Sequence, residues 1–171
     1  MPDIHDWIRM YASQNRVVRF RAAQGLLDRA NDIPLNLLVD ILQNWSHEGL
    51  GAKAERSLLN RRDADLVPKM VSLLASADSF VQEVACGVLG HSGDYSATEH
   101  LLQMVDDPDM MVRRAAGFAL AYLNDRSALP YLKSLYERHR NDDSNVVMAL
   151  QCALKTLGES QLEKGEDGPN D

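Results

Sequence analysis

The stretch Asp107-Pro108-Asp109-Met110-Met111-Val112-Arg113-Arg114-Ala115-Ala116-Gly117-Phe118-Ala119-Leu120-Ala121-Tyr122-Leu123 decides the fold of this chain. It opens with an Asp-Pro-Asp start signal. Counting on from Val112, small or aliphatic residues then recur at Ala115, Ala116, Ala119, Leu120 and Leu123, which is the spacing of a helix with one broad apolar stripe. The same template slid towards the C-terminus meets Val146, Ala149, Leu150, Ala153, Leu154 and Leu157. Slid the other way it meets Val81, Val84, Ala85, Val88 and Leu89. Weaker copies follow at Ala54, Leu58 and Leu59, and at Ala22, Ala23, Leu26 and Leu27. Copies at a period of roughly 30 to 34 residues predict an all-α solenoid of about five helix pairs.

The segments between these inner helices carry the outer ones. Ile4, Trp7, Ile8 and Tyr11 make the first outer stripe, ahead of an inner helix over about 16–30 with Val17, Val18, Ala22, Ala23, Leu26 and Leu27 inward. Leu35, Leu38, Val39, Leu42 and Trp45 make the second, and the inner helix within 48–61 is the least regular copy. Pro34, Pro68 and Pro130 fall at corresponding places where outer helices start, as a first-turn proline can. Capping-box spacings are read at Ser79-Phe80-Val81-Gln82 and Ser96-Ala97-Thr98-Glu99, and the polar cluster Asn141-Asp142-Asp143-Ser144 precedes the last helix. The expected repeats are 3–30, 32–61, 64–92, 95–124 and 126–158, forming one solenoid domain over 1–158. The acidic 159–171, with Gly165, Gly168 and Pro169 and only Leu162 to bury, is expected to be a disordered tail.

The run from Asp107 to Leu132, Asp-Pro-Asp-x-x-Val-Arg-Arg-Ala-Ala followed by Ala-Leu, Leu, Asp and Ala-Leu-Pro-x-Leu, resembles the HEAT-like repeats first recognised in phycobilisome lyase subunits. The resemblance is closest over the fourth and fifth repeats, weaker in the third and faint in the first 62 residues. It implies a right-handed stack of antiparallel helix pairs whose second helices line a concave face. It also implies that Arg113 and Asp125 belong to a polar ladder between repeats, only partly kept where Gln82 and Asp94 stand instead.

Composition narrows the function. The chain has 171 residues and a formal charge of -7, enough length for one domain and the wrong sign for a nucleic-acid binder. The acidic N-terminus does not read as an export signal, and no apolar run approaches the roughly 20 residues of a membrane span, so a cytoplasmic location is expected. Cys86 and Cys152 lie in separate repeats without CxxC spacing and read as packing residues. His47-Glu48 sits near an inner-helix start, where helical-repeat iron hydroxylases place His-Glu pairs. One pair is not a metal site, and His5, His91, His100 and His139 do not supply others. The Arg19, Arg21, Arg29, Lys53, Arg56, Arg61 and Arg62 cluster is a modest basic face that a DNA-binding HEAT-like protein would need to be larger. No catalytic residue, cofactor or metal site is expected.

The surface is more informative. Residues two, five, six and nine places after each inner helix's first apolar position are expected to line the concavity. From these the candidate partner-binding set is Glu83, Gly87, Arg114, Gly117, Phe118, Met148 and Gln151. Gly25, Gly87 and Gly117 lie inside helices, where each costs about 1 kcal/mol relative to alanine. They either floor a groove for a partner or let neighbouring helices pack closely. Between 63 and 112 Lys69 stands alone against Asp63, Asp65, Asp78, Glu83, Asp94, Glu99, Asp106, Asp107 and Asp109. Those acids either cap helices or form a patch for a basic protein. The expected function is a non-enzymatic protein-binding module, an adaptor, assembly factor or inhibitor. The alternatives are an immunity-type inhibitor of a basic toxin, a phycobilin lyase-like accessory subunit, and a DNA-binding protein. A small-molecule substrate and a membrane are not expected.

Overall fold

A computed structural model of the protein describes residues 2–141 and 143–159. Among these residues there are ten α-helices and no strand: α1 (Ile4–Tyr11), α2 (Arg16–Leu27), α3 (Leu35–Trp45), α4 (Gly51–Leu59), α5 (Leu66–Leu73), α6 (Ser79–His91), α7 (Thr98–Met104), α8 (Met110–Leu123), α9 (Leu129–His139) and α10 (Ser144–Glu159). The architecture is the all-α solenoid of helix pairs that the repeat predicts. The described residues divide into two compact units, 1–66 and 67 onward, with the boundary where the third repeat opens. The expected tail lies outside the described residues beyond Glu159, the last residue of α10.

In the second unit the even-numbered helices form an inner row. α6 packs along α8 and α8 along α10, while α7 and α9 each pack on an inner helix. The template residues are the reason. Val81, Ala85, Leu89, Val112, Ala116, Val146, Ala149, Leu150, Ala153 and Leu157 are all fully buried, which is what one apolar stripe per helix should achieve. Close approach within the row depends on two glycines. A Cβ on Gly90 would stand 2.7 Å from the Ala119 Cα and 2.8 Å from its carbonyl oxygen; one on Gly117 would stand 2.9 Å from the Ala149 Cβ. Each inner helix therefore rests its backbone on the next.

The turns of this unit are built from aspartates, and here the expected caps need correcting. Asp78, not Ser79, caps α6: its carboxylate accepts the Phe80 N–H at 3.0 Å, and the Gln82 side chain instead donates to the Leu74 carbonyl at 2.9 Å. The box expected at Ser96 is likewise displaced. Asp94 accepts from Ser96 N at 2.9 Å and caps a short 3-10 turn, Tyr95–Ala97, that leads into α7. Asp125 does the same for Ser127 ahead of α9, at 3.0 Å, Asp109 caps α8 at Met111 N, and Asp143 accepts from Asn145 N. A short carboxylate in extended backbone reaches the N–H two residues on, so an aspartate one or two residues before the expected serine takes the role. α8 ends on Asn124 in the left-handed region, φ 55°.

The first unit is held differently. Its inner helices, α2 and α4, meet only slightly, and each packs mainly on its own outer helix, α1 or α3. Gly25 accommodates α1: a Cβ there would lie 2.6 Å from the Trp7 ring. Val17, expected inward, is 63% exposed. The aromatic contact of α2 comes instead from Phe20, whose ring centroid lies 5.5 Å from that of Trp45. Trp45 is buried and donates its indole N–H to the Tyr11 hydroxyl at 3.1 Å, which donates in turn to Asp40 at 2.6 Å. Burial, reinforced by that bond to Asp40, pushes the Tyr11 phenol up to about 12. The Arg16 and Arg19 guanidinium groups lie over the Trp45 ring at 4.9 and 5.9 Å, a cation–π contact that replaces apolar packing.

Candidate functional site

The inner row of the second unit presents three parallel lines of side chains. Counted from Val81, Val112 and Val146, the residues two, six and ten places on are Glu83, Gly87 and His91; Arg114, Phe118 and Tyr122; and Met148, Cys152 and Thr156. These are the ones that reach the surface. Glu83, Gly87, Arg114 and Phe118 are half-buried, and His91, Met148 and Cys152 are exposed. Tyr122 is 63% exposed, and its ring lies 4.4 Å from that of His91, bridging α6 and α8 at the open face.

The residues five and nine places on behave otherwise. Cys86, Gly90, Gly117 and Ala121 are all buried, because the adjacent inner helix covers them. Gly117, expected among the partner contacts, is thus a packing residue beneath Ala149. Burial also pushes the Cys86 thiol up to about 12, so it stays a neutral packing group. Gln151, five places along α10, is exposed, since among the described residues no further inner helix follows; its amide donates to the Tyr136 hydroxyl at 3.1 Å. The sequence reading therefore placed Glu83, Gly87, Arg114, Phe118 and Met148 on one accessible face, and missed His91 and Tyr122. The signal for both was present: each lies four residues, one turn, beyond an outward position.

Among Gly25, Gly87 and Gly117, Gly87 is the exception. A Cβ there would meet nothing within 4 Å, so no helix requires its absence.

The acidic stretch is largely used internally. Asp78, Asp94 and Asp109 are caps, and Asp107 accepts from Asp109 N at 2.8 Å. Asp63 is paired with Arg61 at 2.6 Å, and that guanidinium holds its carboxyl below the usual range. Asp106 accepts from Arg138 at 2.6 Å and contacts the His139 ring at 2.8 Å. Burial would raise its pKa, but these partners outweigh it and keep the group low. The ladder between repeats is carried in part by Asp125, which accepts the buried Thr98 hydroxyl at 2.6 Å, and by the Gln82 amide 3.5 Å from Asp107. Arg113 donates to the carbonyls of Asp107 and Pro108 at 3.0 and 3.1 Å.

Two members of the basic cluster are paired, Lys53 with Asp28 at 3.2 Å and Arg61 with Asp63. Outside the cluster, Arg16 pairs with Glu48, the carboxylate of the His47-Glu48 pair. Among the described residues no group of three or more His, Cys, Asp or Glu side chains could hold a metal ion, and no helix is long and apolar enough to cross a membrane.

Stacked helix pairs with an open inner face define the class of helical-repeat solenoids. The chain belongs to the HEAT-repeat family: the family's sequence profile matches residues 35–120 and 98–165. No curated protein sequence matches the chain. Among solved structures, a crystal structure of an engineered protein is similar with a TM-score of 0.60 at 22% identity, over 92% of this chain and 80% of that one. The complex of CpcE and CpcF of phycocyanin lyase from Nostoc sp. PCC7120 is similar with a TM-score of 0.66 at 20% identity, over 95% of this chain and 67% of that one. These likenesses concern the fold.

Proposed function

We propose that the protein is a non-enzymatic binding module that holds another protein on the inner-helix face of its second unit, around Glu83, Gly87, Arg114, Phe118, Tyr122 and Met148. The observation that carries this reading is Gly87. A glycine in mid-helix costs about 1 kcal/mol, and where Gly90 and Gly117 offset that cost by close packing, Gly87 faces open space. Its missing side chain leaves the backbone of α6 uncovered at the register position that the half-buried Phe118 holds on α8, with the exposed Tyr122 one turn further on, a small-and-aromatic pattern suited to anchoring a partner side chain or helix. Membership of a repeat family whose stacked helices offer extended surfaces supports the same reading. So does the neighbour that was itself solved as a two-protein complex. Free thiols at Cys86 and Cys152 fit a reducing, cytoplasmic setting.

The test is comparative capture. Tagged wild-type chain, Gly87→Arg and Phe118→Ser are used on the same extract, with Lys133→Ser, exposed on an outer helix, as control. A stoichiometric protein retained by wild type and Lys133→Ser, but lost from both inner-face variants at unchanged melting temperature, is the expected outcome. Retention by all four chains would remove the inner face from the function. The second reading from sequence, an inhibitor of a basic toxin, gains no support from the acidic stretch, whose carboxylates are mostly spent on caps and ion pairs.

A further inference from the structure

The second unit also has a groove on its outer row. There the outer helices α7 and α9 do not pack closely on each other. A groove of about 700 Å³ opens between them. Leu102, Ala128 and Leu135 contribute apolar lining, while Tyr95 and Tyr131 also line it and are 59% and 63% exposed. Sequence reading did not find it, because spacing along one helix does not show how far α7 and α9 stand apart.

The charge of the groove is specific. Its lining contains Glu99, Asp106, Asp125 and Arg138. Asp106 and Arg138 bind each other, and Asp125 is occupied by Thr98 and Ser127. Glu99 is exposed and has no partner among the described residues. The caps and ion pairs that occupy Asp63, Asp78, Asp94, Asp106, Asp107 and Asp109 do not use its charge.

We propose that this outer groove binds an extended segment of another protein that carries arginine, its guanidinium forked on the Glu99 carboxylate and stacked against Tyr95 or Tyr131. Three features select that occupant. A free carboxylate beside exposed phenol rings matches a planar cation, which can satisfy both at once where a compact ammonium cannot. The apolar lining accepts the aliphatic stem of the side chain. The seven residues of α7 span roughly 10 Å, long enough for about three extended residues and too short for a docked helix of ordinary length. This surface is separate from the inner face, and the two proposals stand or fall independently.

The experiment is a titration of the ¹⁵N-labelled full chain with acetyl-Ala-Arg-Ala-Arg-Ala-amide, alongside peptides with lysine or glutamate in place of arginine. Amide shifts are followed by NMR. Saturable shifts confined to 95–103 and 127–135 are expected, weakened by salt and absent with the glutamate peptide. The variant carrying Glu99→Gln and Tyr131→Ser should bind about tenfold more weakly with an unchanged spectrum elsewhere. Both side chains are exposed, so the fold should survive. Shifts spread over the whole acidic surface, equal binding of the lysine peptide, or an affinity within about twofold in the double variant would overturn the proposal. Shifts confined to the inner helices would overturn it too while supporting the inner-face reading.

Discussion

The two units read alike in their apolar stripes and differ at the seam. In the second unit the positions five and nine places along an inner helix are Cys86, Gly90, Gly117 and Ala121, small and buried. In the first, the aligned positions are Gln24, Asp28, Arg56 and Asn60, all exposed. A seam of small residues lets one backbone rest on the next, so α6, α8 and α10 form a continuous row. A polar seam leaves α2 and α4 barely touching and joined by an ion pair, Lys53 to Asp28 at 3.2 Å, of the exposed kind that contributes about 0–1 kcal/mol. The first unit draws its cohesion from the buried Trp45 and Tyr11 cluster instead. Two residues per helix thus decide whether a repeat stacks through backbone contact or through aromatic side chains.

The largest effect should come from filling the seam. Gly90→Val would put a Cβ 2.7 Å from the backbone of Ala119, which cannot retreat as a side chain could. We expect a loss at or above the upper end of the roughly 1–3 kcal/mol typical of overpacking, measured by urea unfolding. Gly117→Val, facing the Ala149 Cβ at 2.9 Å, should follow closely. Both tryptophans, Trp7 and Trp45, lie in the first unit, so their emission reports on that unit alone. Early loss of helicity with the tryptophan transition unmoved would locate the damage. Damage of equal size in both signals would break the comparison.

This contrast also explains what could be read from sequence. The stripe Val112, Ala116, Ala119 and Leu120 recurs because every inner helix must bury the same face, so repeats and fold class were legible. Helix starts were legible to within a residue or two, but the cap belonged to Asp78 or Asp94 rather than to Ser79 or Ser96, since carboxylates and hydroxyls compete for the same N–H groups. The candidate site was half legible. One face of a helix contains both the outward row and the seam, and periodicity alone does not separate Phe118 from Gly117; only the position of the next helix does. The outer groove was not legible, because it depends on how closely α7 and α9 approach each other rather than on any local pattern.

In the first unit the corresponding weak point is Tyr11. Tyr11→Phe would leave Asp40 and the buried Trp45 N–H without their shared partner, costing about 1–3 kcal/mol. The same hydroxyl gives the unit an alkaline limit. Its folded pKa is raised to about 12 from 10.0, so its contribution is complete below 10 and is lost as pH rises through 12. Of the five tyrosines, one should therefore ionise late in an absorbance titration, and Tyr11→Phe should remove that phase. A late phase surviving in the variant would assign it elsewhere and weaken the account of this cluster.

The second unit has its limit at the acid end. The Asp125 carboxyl is pushed up by burial, but bonds from Thr98 and Ser127 outweigh that and hold it below 3.8. With a depressed folded pKa its contribution is complete above about 3.8 and is lost as pH falls through the lower folded value. Asp125→Ala removes both a cap and the link between repeats, and should cost about 1 kcal/mol at neutral pH. It should also flatten the acid dependence of amide exchange in α7 and α9. An unchanged acid profile would mean that other carboxylates, Asp106 foremost, set the limit.

The smallest change discriminates most. Gly25, Gly87 and Gly117 look equivalent in the sequence, yet alanine at each should act differently. At Gly25 the new Cβ would press on the Trp7 ring at 2.6 Å, and at Gly117 on Ala149, so both variants should lose stability. At Gly87 it enters open space, and the gain in helix propensity, with less freedom to lose from the unfolded chain, should raise stability by about 0.4–1 kcal/mol. A thermal melt of the isolated protein reads this directly. If Gly87→Ala instead melts lower, something already lies against that face in the free protein, and a partner would have to displace it before docking there.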